Sequence, residues 1–246
     1  MSLTEAGSVY LARIDTVLEE LDRARTEAQA AGRAPRSSLR LTASMTFGQR
    51  CVLPALPASR ARYPELSLDC LFTDAMLDLV AERIDLAIRL GPAIEGDVVA
   101  AKLMPTRYRV VASPAHLAGA QGLTEPADLA HHRCLLFSLR AYQTAWRFRR
   151  ADGAEITVPV AGDIVLSPAS SLRQAALAGL GPALLPDWLI DEDIAQGRLV
   201  DVFPDHAATA TSFETAAFVV YPSRSILPQK VRAMIDHLRA HLALRP

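Results

Sequence analysis

Hydroxyl and cationic side chains recur in this chain where predicted strands give way to predicted helices. Ser44, Met45 and Thr46 fall between an alternating stretch, 38–43, and a helical stretch, 47–62. Their hydroxyls, with the unpaired N–H groups of a helix start, can bind a carboxylate. The same hydroxyls serve equally well as plain helix caps. Ser167, Ser170 and Ser171 hold the matching place around the start of a second helical stretch, 169–180. Arg89 closes a short apolar strand, 85–90, where an arginine is solvated, paired with an acid or turned into a cleft. Phe137 and Ser138 end another strand, 133–137. The hydroxyls and Arg89 among these residues are donors for an anion, without machinery for breaking bonds.

Catalytic and metal readings find little support. His131-His132 has no ligand partner three or four residues away. The segment GLGPAL, 179–184, has no serine for a nucleophile elbow. Gly179-x-Gly181 lacks the third glycine of a dinucleotide loop and ends a helix instead of opening one. Cys51, Cys70 and Cys134 are widely spaced and odd in number, which fits a reducing compartment and no zinc site. Trp146 reads as core, and Arg147 and Arg149 as one solvated strand face. The expectation is no catalytic residue, no metal and no cofactor.

The elements that must position these groups follow from periodicity. Residues 65–72 alternate, 74–84 carry apolar residues at steps of three or four, and 85–90 are again strand-like. That predicts a βαβ unit whose helix is capped by Asp74, with ligand sites at the carboxyl ends of its strands. Pro54 and Pro57 are expected to kink or break the helix of 47–62. Further strands are predicted over 98–103, 108–112, 145–149, 155–160, 163–166, 183–185, 199–203 and 213–221. Helices are predicted after Ser113-Pro114, over 124–130, 187–196 and 228–244. Near the N-terminus, Tyr10, Ile14, Val17, Leu21, Ala24, Ala28 and Ala31 recur at steps of four and three, a heptad seam. Among 246 residues, 50% are hydrophobic and 22% charged, with a net charge of −1. This is enough chain for two medium domains, without a basic nucleic-acid footprint, and no apolar run approaches the ~20 residues of a membrane span. No apolar signal core opens the chain. A cytoplasmic protein with no membrane partner is expected.

A series of segments in order resembles the effector-binding region of LysR-type transcriptional regulators: LTEAG (3–7), LPALPASRARYPELSLD (53–69), DLVAERIDLAIRLG (78–91), VVASPAHLA (110–118), PADLAHHRCLLF (126–137), WRF (146–148), AALAGLGPALLPDWL (175–189), GRLVDVFPD (197–205) and YPSRSILPQKVRAMIDHL (221–238). The resemblance implies an α/β fold like that of type-2 periplasmic binding proteins, two lobes joined by two crossover strands. It implies a linker helix over 1–34, lobe I from 35–112 plus 213–246, and lobe II from 113–212. In the family a winged helix-turn-helix precedes LTEAG, so Met1-Ser2 reads as a start placed on a truncated piece. DNA contact would then come only through that missing domain. The resemblance further implies a small-molecule effector, expected to be a carboxylate, held by Ser44, Met45, Thr46, Arg89, Phe137, Ser138 and Ser167. A homodimer is expected to pack Val52, Leu53 and Leu56 of one lobe against Leu172, Ala176 and Leu180 of the other, with a tetramer open to the full-length protein. Gly181-Pro182 departs from the family, which has an aliphatic residue where Pro182 stands. A solute-binding protein of the same fold, or an enzyme built on it, are the competing functions.

Overall fold

The computed structural model describes residues 37–92, 98–119, 122–222 and 227–244. The heptad seam of the expected linker helix lies outside these residues. Strand β1 (Ser37–Ala43) buries Leu39, Leu41 and Ala43. It is the centre of a parallel trio, pairing with β2 (Leu66–Phe72) on one side and β3 (Leu86–Gly91) on the other. Two longer antiparallel strands, β13 (Thr215–Pro222) and β4 (Val98–Thr106), complete this first sheet in the order β2-β1-β3-β13-β4. Alternation explains the strands: one face meets helices, and on the other Ala87 and Val220 are buried with Ile84 and packed by Leu77 and Leu79. The C-terminal helix Gln229–Ala243 lays Val231, Met234, Ile235, Leu238 and Leu242 on the first sheet. It is clamped by Lys230, whose ammonium donates to Asp85 at 2.7 Å and to the Ser38 carbonyl at 2.6 Å.

The helical run 45–62 is continuous but changes pitch. It opens as α-helix (Met45–Phe47), widens into a π-turn (Gly48–Val52), tightens into a 3-10 turn (Leu53–Ala55), and resumes as α-helix (Leu56–Arg62). Pro54 and Pro57 each sit in the first turn of a new segment, where the missing N–H removes no bond. The prolines therefore reset the helix without ending it.

The crossover helix expected after Asp74 is absent. Residues 73–85 contain one turn instead, in which the Asp78 carboxylate accepts from the Val80 and Ala81 amides at 2.9 and 3.1 Å. Arg83, at φ 52°, closes that turn. A strong local cap at Asp78 leaves too few residues for a longer helix before β3. The strands joined by this segment are parallel as expected, with β1 between them.

The second sheet runs β8-β7-β12-β5-β10-β6-β9, with β11 (Val200–Asp201) alongside β5. Its strands are β5 (Tyr108–Ala112), β6 (Arg133–Phe137), β7 (Ala145–Arg150), β8 (Glu155–Pro159), β9 (Ala161–Leu166), β10 (Ala183–Pro186) and β12 (His206–Thr209). β12 was not anticipated. β5 pairs with β10, β11 and β12, so residues 108–112 belong to the second lobe. The expected boundary after 112 is thus corrected to the Thr106–Tyr108 crossing, and the return crossing falls between Thr209 and Thr215. Phe213 stays with the second lobe because the Arg149 and Arg147 guanidinium groups lie 4.2 and 5.2 Å from its ring centre. Cation–π stacking outweighs the strand propensity of this residue. The helices Ala169–Leu177 and Asp187–Ala195 pack beside this sheet.

Candidate functional site

The carboxyl ends of β1, β2 and β3 in the first lobe and of β6, β9 and β10 in the second point toward the crossings. β1 ends at Ala43, level with Phe72 and Ile88. In the second lobe Phe137 is level with Leu166, and Pro186 with Tyr108. Strand direction places all these tips on one seam between the lobes.

Thr46 is the best-defined group on that seam. It is 4% exposed, and its Oγ1 accepts the Ser170 amide of the second lobe at 3.1 Å. Ser170 lies in the first turn of its helix, where an amide has no intrahelical acceptor. No acceptor for the Thr46 hydroxyl proton is found among the described residues, which leaves this group one unused donor. Beside it, Phe47 meets Trp188 edge to face at 5.1 Å, and Arg50 pairs with Glu192. The Arg50 guanidinium holds the Glu192 carboxyl below its ordinary range.

The other expected residues are placed differently. Ser44 makes no side-chain cap, and its carbonyl accepts the Gly48 amide at 2.8 Å. The Met45 amide donates at 3.0 Å to the Asp74 carboxylate, so the residue expected to cap its own helix caps this one. Asp74 therefore already supplies a negative group to this helix start. Arg89 is half-buried and reaches the Leu77 carbonyl at 3.5 Å. It shares a sheet face with Ala87, opposite Ile88, so it lies under the 73–85 segment and away from Thr46. Burial alone lowers its pKa, and no acid pairs with it among the described residues. Phe137 packs on Tyr142 at 5.7 Å. Ser138 and Ser167 are exposed at the strand tips, and the Ser138 amide donates to the Leu166 carbonyl at 3.1 Å.

Several groups on the seam carried no sequence signal. The Tyr142 hydroxyl donates to that of Tyr108 at 3.1 Å, and burial raises the pKa of both phenols. Asp187, opening its helix, is also pushed up by burial. Only its helix-start position was visible beforehand.

Three of the residues expected at a dimer interface are corrected. Val52, Leu172 and Ala176 are 0–1% exposed and lie in the chain's own core, so a partner cannot reach them. The π-turn and the packing of helix Ala169–Leu177 on β6 and β10 rotate them inward. Leu53 and Leu180 are about half exposed, and Leu56 is half-buried.

Residues 32–243 match the model of a family described as "LysR substrate binding domain". The chain is 30% identical to the HTH-type transcriptional regulator PtxR of Pseudomonas aeruginosa, across all of this chain and 77% of that protein. It is 31% identical to the HTH-type transcriptional regulator DmlR of Escherichia coli, over 99% of this chain and 78% of the relative. Among solved structures, CrgA, a LysR-type transcriptional regulator from Neisseria meningitidis, superposes with a TM-score of 0.75 at 29% identity. That match covers 98% of this chain and 80% of CrgA. The full-length Vibrio cholerae virulence activator AphB superposes at 0.71 with 25% identity, over 98% and 81% of the two chains.

Proposed function

We propose that this chain, which belongs to the LysR substrate binding domain family and is the effector-binding domain of a LysR-type regulator, senses a small anionic metabolite in the cleft between its lobes. The family is regulatory, not catalytic. The observation that carries the ligand reading is Thr46: a buried hydroxyl, bonded across the lobes to Ser170, whose own proton lacks an acceptor among the described residues. A carboxylate entering beside it would accept a hydrogen bond from that hydroxyl, as an unsatisfied buried donor favours an acceptor. Ser44 lies two residues before Thr46, and Ser138 and Ser167 are exposed at strand tips of the other lobe. Arg89 contributes a long-range positive field and would reach the ligand only by leaving Leu77. Asp74 already occupies the Met45 amide and opposes an anion there, so a ligand carboxylate would draw on the Thr46 hydroxyl and not on that amide.

The test is a thermal-shift screen with small carboxylates. A ligand at about 100 times its dissociation constant stabilises by ~2.7 kcal/mol. Calorimetric titration of the best hit against Thr46→Val should then show a loss of roughly tenfold or more, the value of a hydrogen bond to a charged group. Equal binding by wild type and Thr46→Val would place the anchor elsewhere.

Leu53 and Leu180 remain the exposed apolar candidates for an isologous homodimer, with Leu56 at its edge. Among the described residues no helix is long and apolar enough to cross a membrane, and the regulator reading places the protein in the cytoplasm. Light scattering of Leu53→Arg and Leu180→Arg should report a loss of dimer mass.

A further inference from the structure

We propose that the helical run 45–62 carries a three-point latch that holds the two lobes together in the free protein. Arg50 lies four residues after Thr46 and three after Phe47, the spacings that put side chains on one side of a helix. Each reaches into the second lobe by a different interaction. Thr46 Oγ1 accepts the Ser170 amide, Phe47 packs edge-on against Trp188, and Arg50 pairs with Glu192. Trp188 and Glu192 are themselves four residues apart, one above the other on the helix Asp187–Ala195. The latch therefore joins one helical side of the first lobe to two helices of the second.

Its strength is divided in a way that suits a switch. Thr46, Phe47 and Trp188 are 4%, 0% and 7% exposed, and Phe47 and Trp188 touch each other across the lobes. Arg50 and Glu192 sit at the rim, with side chains 35% and 51% exposed, where solvent screens the pair. Against these contacts stands the Trp188 indole N–H, which is buried and finds no acceptor among the described residues. Opening the lobes would hydrate it, which offsets part of what separation loses. The chain passes between the lobes at the two crossings near Thr106 and Thr215, and rotation about them is the motion that would break the latch. The latch itself stands on the free protein. Its regulatory meaning rests on the effector reading, since a ligand that draws on Thr46 acts on one of the three contacts.

Hydrogen exchange at the Ser170 amide tests the latch on the 246-residue chain without any ligand. This amide is protected only across the lobes, so its exchange reports their separation. The variants are Arg50→Glu, Glu192→Arg and the double swap, with Glu192→Gln as a neutral control that keeps the shape. Each charge reversal should speed Ser170 exchange about twofold to fivefold, and the swap should restore it, as expected for a rim ion pair. Amides in the centre of β1 should keep wild-type exchange in every variant. Unchanged Ser170 exchange in both reversals overturns the latch. So does equal acceleration at β1, or a swap that fails to restore protection. A missing ligand response would bear on the effector reading alone.

Discussion

Thr106 and Thr215, 109 residues apart in sequence, bond to each other twice where the chain crosses between lobes. The Thr106 hydroxyl donates to Thr215 Oγ1 at 2.8 Å, and the Thr215 hydroxyl donates to the Thr106 carbonyl at 3.0 Å. Both side chains are buried, at 4% and 6% exposure. The outgoing and returning strands are thus tied side by side at the place about which the lobes would turn, and the pair fixes where flexing can occur.

Replacing Thr215 with valine keeps the shape and leaves the Thr106 hydroxyl buried without its acceptor. The expected cost is about 1–3 kcal/mol. A urea denaturation series should show a lower midpoint with an unchanged slope, since the surface exposed on unfolding stays the same.

Asp193 is fully buried and accepts from Arg173 at 2.5 and 2.7 Å and from Arg198 at 2.5 and 2.9 Å. Burial pushes its carboxyl up, and the two arginines outweigh burial, so it stays below the ordinary range. The folded value being depressed, the carboxylate stabilises the fold above the unfolded value of about 3.9 and loses that contribution as pH falls through the folded value. Asp193→Asn should cost about 3 kcal/mol at pH 7, since both arginines lose their charged partner. The gap between its denaturation midpoint and that of wild type should narrow as the pH is lowered from 5 toward 3, about the range of carboxyl titration.

Gly48 lies under the Phe72 ring, and a Cβ there would stand 2.3 Å from it. Gly48→Ala must displace the ring, at a cost of roughly 1–3 kcal/mol. Calorimetry should show a lower Tm, and adding Phe72→Leu, which opens space at that contact, should recover part of it.

Cys134 is buried in the second lobe, and burial pushes its thiol up to about 12. At pH 8 on the order of one molecule in ten thousand would hold the thiolate, the reactive form. Mass spectrometry after iodoacetamide treatment should find Cys134 unmodified in the native protein and alkylated once urea unfolds it.

Local chemistry was legible in the sequence, and long-range geometry was not. Alternation in 38–43 and 65–72 marks strands whatever surrounds them, because period-two patterning buries one face of any sheet. The run from Gln229 to Ala243 declares its apolar side in the same way. The segment series in order was enough to point to the family, whose model matches residues 32–243. The change from strand to helix near Ala43 locates Thr46 at a strand tip from the sequence alone. What tertiary structure decided were questions of competition. Asp74 could cap the residues after it or the start of another helix, and only the nearness of Met45 settles that. Arg89 has two sides of one strand open to it, and the path of residues 73–85 chooses the side. Tyr108–Ala112 reads as a strand for either lobe, and its pairing with β10, β11 and β12 assigns it. Val52, Leu172 and Ala176 look alike as core or interface, because an apolar side chain records only that it avoids water and not which surface covers it.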